Sequence, residues 1–486
     1  MLDDRQIVGQ NAWWREDSAW QQRDPHLRRL ATQPAKFPSQ LVRKADLKAS
    51  AIHVIRGPRQ VGKSTDLKLL VPKALEEGRP ARQIIYLSLD LLENQPGAEI
   101  ERTVYRAKEL ASSSADAKAP ALLLLDEVTS VEHWQTAIKA LWDDGVIDRD
   151  VVYCTGSSAA DLAFGVVERL PGRRGRGLDH LVLPQPFSEF ARALHPSIPP
   201  SPCLTVSELF SDAGREALHE IALHAADLED AFTRYLRFGG FPAAVVEAMG
   251  GALEPSPFAQ RVVLDSLLKE VGRRGISEPA MHALLERVAL SLGSKTSWSA
   301  MAKEMDVPLG TRSGKTYDAR SLRQYVEFLA AGYFIFIVYF WKQRTDSNAI
   351  SKERKVYFGD PLLHEVAKTY APGLREDLPS LVENAVGLAL LRRYESSQAL
   401  FEGFLTPGDL HVWESARGGE LDFACGPRRA LDLVEVKYQA SIDRRLVSGY
   451  RRAFPERPVA VATRQTTDIG HNEALVPAHI LTWMLA

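Results

Sequence analysis

Cysteine is scarce in this chain of 486 residues: Cys154, Cys203 and Cys425 are the whole complement. They stand far apart, which excludes a paired C-x-x-C zinc framework and a disulfide scaffold. Two of them fall in apolar, strand-like runs, so they read as buried, reduced thiols. Long apolar runs are missing as well. The most apolar stretch, FLAAGYFIFIVYFW (328–341), has 14 residues and is followed by Lys342 and Arg344. That is short of the ~20 residues of a membrane-spanning helix and fits a buried helix running into a strand. The N-terminus, MLDDRQIVGQNAWW, has no apolar core behind positive charge; a secretory signal is not expected, and a cytoplasmic location is. Basic charge is not in excess either. The 60 Lys and Arg against 62 Asp and Glu leave a net charge of −2, so any nucleic-acid contact has to come from a local patch. A chain of this length exceeds one core and should divide into about three or four domains.

What is present begins with AIHVIRGPRQVGKSTDLKLLVPKAL (51–75), which reads as strand, glycine loop and helix. Gly57, Pro58, Arg59, Gln60, Val61, Gly62, Lys63 and Ser64 satisfy G-x-x-x-x-G-K-[ST], and Thr65 follows. Backbone N–H groups of such a loop cradle phosphates at a helix N-terminus. Lys63 is expected to reach the β- and γ-phosphates, and the Ser64 hydroxyl to hold Mg²⁺. PALLLLDEVTSVEHW (120–134) is a near-continuous apolar strand, as a parallel sheet covered on both faces demands. It ends in Asp126, the expected Mg²⁺ ligand, and Glu127, expected to orient or activate the attacking water. RQIIYLSLD (82–90) and DVVYCTGSSA (150–159) supply two more strands. Ser157, in the second, is placed to touch the γ-phosphate or its water. ATP and Mg²⁺ are the cofactors these motifs call for.

The loop, the Asp-Glu strand and the TGSS strand are followed by ERLPGRRGRGLDHLVLPQPFSEF (168–190) and YLRFGGFPAAV (235–245). With NAWW and DPHLRRL (24–30) ahead of them, this order resembles a widespread group of prokaryotic AAA+-type P-loop ATPases that carry a C-terminal uncharacterised domain. One departure is LPQPFSEF, where relatives read L-x-P-L-S-F-x-E-F. The resemblance implies an arginine after the third strand that reaches a γ-phosphate in cis or from a neighbouring subunit. Arg173, within the group Arg169, Arg173, Arg174 and Arg176, matches that position. A solvated basic loop, or contact with nucleic-acid phosphates, stays open for the same cluster.

After the Pro/Ser-rich HPSIPPSPCLTV (195–206) the pattern is helical and suits a small lid over the nucleotide. EPAMHALLERVALSLGSKT, SWSAMAKEMDV and TYDARSLRQYVEFLAAGYFIFIVYFW then read as three helices leading into a strand. That is a winged helix-turn-helix order, with Lys315, Arg320 and Arg323 placed to meet phosphates or, equally, to serve protein contacts.

The last part of the chain reads as helix, β-meander, helix and strand, the layout of the restriction-endonuclease-like, PD-(D/E)xK fold. LPSLVENAVGLALLRRY (378–394) carries Glu383, GGELDFACG (418–426) carries Asp422, and ALDLVEVKYQ (430–439) carries Glu435 and Lys437. Glu383, Asp422 and Glu435 are expected to bind Mg²⁺ or Mn²⁺, with Lys437 orienting the attacking water or steadying the pentavalent phosphate. Glu420 shares the face of Asp422 by period two and could replace it. A Glu-x-Lys pair at a strand end is also a common surface ion pair. Arg444, Arg445, Arg451 and Arg452 follow on a basic helix, which suits a phosphate backbone or a solvated face.

The fold class expected is α/β: a P-loop parallel sheet with helical lid, a winged-helix module and a C-terminal restriction-endonuclease-like domain. The segments are 1–48, packing on the ATPase; 49–195, the ATPase core; 196–278, the lid; 279–350, the winged helix; and 351–486, the nuclease-like domain. The function expected is ATP hydrolysis by a protein that acts on or senses DNA or RNA, as a homo-oligomer or with a protein partner, and without a membrane. The alternative is a signalling or scaffolding ATPase whose C-terminal domains bind protein partners and whose nuclease-like site is vestigial.

Overall fold

The structure, a computed structural model, describes residues 1–15, 19–34, 36, 40–112, 120–156, 179–272, 276–305, 319–342, 347–348, 353–371, 373–394, 404, 408–415, 419–427, 430–439, 442, 450 and 452–485. The chain folds as two compact units, Met1–Leu183 and Pro184–Ala486. It is a mixed α/β protein with a parallel five-stranded sheet in the first unit and a β-rich C-terminal part in the second.

The sheet of the first unit comprises β1 (Ala51–Arg56), β2 (Ile84–Ser88), β3 (Leu122–Asp126), β4 (Val151–Thr155) and β5 (Asp179–Leu181). Its order is β2-β3-β4-β1-β5, and every neighbouring pair is parallel. β1, β3 and β4 are buried along their whole length. Strands covered on both faces have no outward positions for polar residues, which is why β3 is a run of leucines up to Asp126.

β2 is the edge of this sheet, and an edge leaves backbone donors and acceptors without a neighbouring strand. Side chains of the N-terminal segment supply the missing partners at alternate residues. The indole N–H groups of Trp13 and Trp14 donate to the Ile84 carbonyl at 3.0 and 2.9 Å. The Asn11 amide accepts from the Tyr86 N–H at 2.7 Å and donates to the Tyr86 carbonyl at 2.9 Å. Gln10 does the same for Ser88, accepting at 2.8 Å and donating at 3.4 Å.

The second unit opens with helices, among them Phe187–Leu194, Ala225–Phe238, Pro242–Met249 and Pro257–Gly272. Glu278–Leu290, Trp298–Glu304 and Ala319–Ala331 follow, and the last turns into β6 (Ile335–Tyr339). The apolar run 328–341 is therefore a buried helix end and a buried strand. Among the described residues no helix is long and apolar enough to cross a membrane. A short pair, β7 (Trp341–Lys342) and β8 (Ser347–Asn348), precedes β9 (Arg354–Phe358), which pairs antiparallel with β6.

The six-stranded sheet contains β10 (Leu410–Glu414), β11 (Glu420–Cys425), β12 (Asp432–Val436), β13 (Val459–Thr463), β14 (Asp468–Ile469) and β15 (Glu473–Pro477), in the order β10-β11-β12-β13-β15-β14. β10, β11 and β12 form an antiparallel meander, and β12, β13 and β15 are parallel. Helix Leu378–Tyr394 packs against the meander and against the closing helix Ala478–Leu485. β14, β15 and that closing helix lie beyond the elements read from the sequence.

Asn11→Ala leaves the Tyr86 N–H and C=O buried without partners. A loss of ~2–3 kcal/mol in the stability of the first unit is expected by urea unfolding, and a neutral effect would show that the edge is closed by other means. In the second unit, burial pushes the pKa of His479 down to about 4, against an unfolded value near ~6.5. Its contribution to stability is complete above the unfolded value and is lost as pH falls through the folded one, roughly 3 kcal/mol in all. Unfolding of wild type and His479→Leu on either side of that window checks it: the variant should lose the less on acidification.

Candidate functional site

Two clusters of charged side chains stand out, one in each unit. In the first, β1 passes through Gly57 into the glycine loop. Gly57 has φ +145°, and a Cβ there would stand 1.9 Å from the Val182 carbonyl oxygen, so no other residue fits. Gly62, at φ 98°, caps helix Lys63–Glu76 without any side-chain hydrogen bond to its first turn. That leaves the helix N-terminus uncapped by side chains, the arrangement that receives an anion. The Lys63 ammonium folds back over the loop and donates to the carbonyls of Gly57 at 2.8 Å and Pro58 at 2.6 Å.

Asp126 ends β3 facing this loop, and the Ser64 hydroxyl reaches its carboxylate. The Tyr86 hydroxyl donates to Asp126 Oδ2 at 2.8 Å. Asp126 Oδ1 and Glu127 Oε2 are buried atoms with no hydrogen-bond partner among the described residues. Burial first, then the Glu127 charge, push Asp126 up to about 6, against the hydrogen bonds of Tyr86 and Ser64 and the pull of Lys63. Glu127 has φ 58°, ψ 40°, a left-handed conformation that costs a non-glycine residue about 1–3 kcal/mol and is found at functional sites. A hydroxyl and a carboxylate with an unanswered oxygen are the hard oxygen donors that Mg²⁺ takes, so the residues fit that ion.

Tyr86, Lys68 and Asp24 were not singled out from the sequence. The Lys68 ammonium stands 3.5 Å from the Tyr86 ring centroid and 3.2 Å from Asp24 Oδ2. Burial lowers its pKa, and Asp24 opposes that. The legible signal was a tyrosine hydroxyl and a lysine in segments that pack on both faces. Ser157 and Arg173, with Arg169, Arg174 and Arg176, lie outside the described residues, as do Lys315, Arg444, Arg445 and Arg451.

In the second unit, helix Leu378–Tyr394 brings Glu383, β11 brings Glu420 and Asp422, β12 brings Glu435, and Lys437 follows the end of β12. Gly387 lets the helix approach β11, since a Cβ there would stand 2.7 Å from the Phe423 ring. Asp422 Oδ2 accepts from the Val436 N–H at 2.9 Å, and Lys437 Nζ pairs with Glu435 Oε1 at 2.5 Å. The structure thus brings together Glu383, Asp422, Glu435 and Lys437, and it adds a residue the sequence reading missed. Lys355, on β9, stands 2.9 Å from Glu383 Oε1, 2.8 Å from Glu420 Oε1 and 2.9 Å from Asp422 Oδ1. The Tyr357 hydroxyl donates to Glu383 Oε1 at 2.7 Å.

Burial, then the Asp422 charge, hold Glu383 and Glu435 above the usual carboxylate range, against the nearby lysines. Burial works to lower Lys355, but Asp422, Glu383 and Glu420 outweigh it and raise the ammonium's pKa. Among the described residues no three Asp, Glu, His or Cys side chains are set to hold a metal ion.

Residues 49–191 match the family "AAA domain", and they contain the whole of the first cluster apart from Asp24. That segment is a P-loop ATPase domain. Residues 229–369 match "Domain of unknown function (DUF8612)". An uncharacterized protein of Methanocaldococcus jannaschii is 22% identical over 414 residues, 83% of this chain and 79% of that protein. Among solved structures, the ORC2 protein of Aeropyrum pernix is similar with a TM-score of 0.36 at 14% identity, covering 76% of this chain and 94% of that one. The ORC1 protein of the same organism, in complex with DNA, has a TM-score of 0.28 at 15% identity, covering 72% and 92%.

In the P-loop ATPase domain, Tyr86→Phe removes the hydrogen bond that fixes Asp126 Oδ2. Mg²⁺-nucleotide affinity is expected to fall by roughly tenfold in calorimetric titration, the equivalent of one neutral-to-charged hydrogen bond at the low end. An unchanged affinity would show that Tyr86 does not orient the carboxylate.

Proposed function

We propose that this protein hydrolyses ATP at the P-loop with Mg²⁺ held by Ser64 and Asp126. One observation carries the reading: among the described residues, Asp126 Oδ1 and Glu127 Oε2 are buried without hydrogen-bond partners beside an uncapped helix N-terminus and a glycine loop. The N–H groups of residues 57–65 would bind the phosphate oxygens. Lys63 would exchange the Gly57 and Pro58 carbonyls for the β- and γ-phosphates. Mg²⁺, when bound, neutralises charge developing on the phosphate oxygens. Glu127 would orient the water that attacks the γ-phosphorus as its bond to the bridging oxygen breaks. Ser157 would touch the γ-phosphate, and Arg173 would reach it in cis or from another copy.

The rest of the chain would couple this cycle to nucleic acid. Three helices (Glu278–Leu290, Trp298–Glu304, Ala319–Ala331) leading into β6 and β9 support a winged-helix module over 279–350, after a lid over 196–278. The meander β10-β11-β12, continued in parallel by β13, supports a restriction-endonuclease-like module over 351–486. A specific observation favours the second reading, in which that module binds a protein partner and does not cut. Lys355 occupies the middle of the carboxylates, and Arg323 of the winged helix is engaged by Glu327 at 2.7 Å.

Lys63→Ala is expected to abolish phosphate release. Glu127→Gln should retain ATP binding and lower turnover by about a hundredfold or more, as for a lost general base. Turnover that survives Lys63→Ala overturns the site. Titrating DNA and RNA into the same assay separates the readings: stimulation supports a nucleic-acid partner, and a flat response supports a protein partner.

A further inference from the structure

Lys355 sits on β9, a strand buried throughout, and its side chain is 2% exposed. Its ammonium nitrogen is the point at which Glu383, Glu420 and Asp422 converge, at 2.9, 2.8 and 2.9 Å. Convergence of carboxylates on one point is what a hard cation requires, at ~2.0–2.1 Å for Mg²⁺ and ~2.3–2.6 Å for Ca²⁺. A divalent ion bound by these carboxylates would stand on the ammonium or directly beside it, and two cations in one poorly solvated cluster repel. The fourth carboxylate, Glu435, is already paired with Lys437. Withdrawing Lys355 would leave a buried ammonium without its partners, which is strongly unfavourable.

We infer that Lys355 is the resident cation of this cluster and that Glu383, Asp422 and Glu435, as folded, bind no divalent metal. The ammonium ties β9 to β11 and to helix Leu378–Tyr394, a structural role that a metal would otherwise take. This deepens the second reading above and does not depend on ATP hydrolysis.

The test measures Mn²⁺ binding to the nucleotide-free full chain by electron paramagnetic resonance of the free ion. All samples carry Asp126→Asn, which removes the P-loop ligand. The parent and its Asp422→Asn derivative should bind Mn²⁺ identically, with no saturable site below the millimolar range. Lys355→Met should gain one Mn²⁺ per chain in the micromolar range, and its melting temperature should rise by several degrees with Mn²⁺ while the parent's stays put. A parent that binds one Mn²⁺, lost on Asp422→Asn, overturns the inference. So does a folded Lys355→Met protein that takes up none. Should Lys355→Met fail to fold, the comparison of the parent with Asp422→Asn decides alone.

Discussion

An ionised carboxylate taken out of water costs several kcal/mol unless a partner answers it, and both units of this protein are organised around that cost. The two clusters meet it in opposite ways. In the first unit Asp126 is answered on one oxygen by Tyr86 and, among the described residues, left without a hydrogen-bond partner on the other, with Ser64 of the glycine loop in reach of the carboxylate. In the second, an ammonium stands within hydrogen-bond distance of three carboxylates. An open cluster invites a cation and its phosphate, whereas a closed one holds strands together.

The first cluster is also tied to the N-terminal segment. Asp24 pairs with Lys68, Lys68 lies over the Tyr86 ring, and the Tyr86 hydroxyl holds Asp126. Asn11 grips the backbone of the same tyrosine. Asn11, which helps close the edge of the sheet, therefore also holds the tyrosine that fixes the Asp126 carboxylate, so that segment is part of the first unit energetically.

How far the sequence could be read follows from the distance over which each feature acts. The loop from Gly57 to Ser64 is local: glycines, lysine and hydroxyl are set by one turn, and the flanking strand and helix by short-range apolar pattern. Asp126-Glu127 at the end of a leucine run is local as well. Glu383, Asp422, Glu435 and Lys437 were found because each sits on an element with its own signature, and the meander brings them together. Lys355 escaped because its partners lie 28 and 67 residues away along the chain, although Arg354 and Lys355 at the head of an otherwise apolar strand were a visible anomaly. Gln10 and Asn11 escaped for another reason. A side-chain amide imitating a strand leaves no periodicity, and nothing in the segment distinguishes it from a helix end. β14, β15 and the closing helix are short and depend on packing in the sheet, which pattern alone does not disclose.

The decisive measurement is Mg²⁺-dependent phosphate release from ATP by the full chain, followed before and after chelation with EDTA. Steady release with Mg²⁺ and an immediate stop on chelation are expected, because Asp126 Oδ1 and Ser64 would act through the ion. A protein that binds ATP equally well with and without Mg²⁺ and releases no phosphate would contradict hydrolysis at this site.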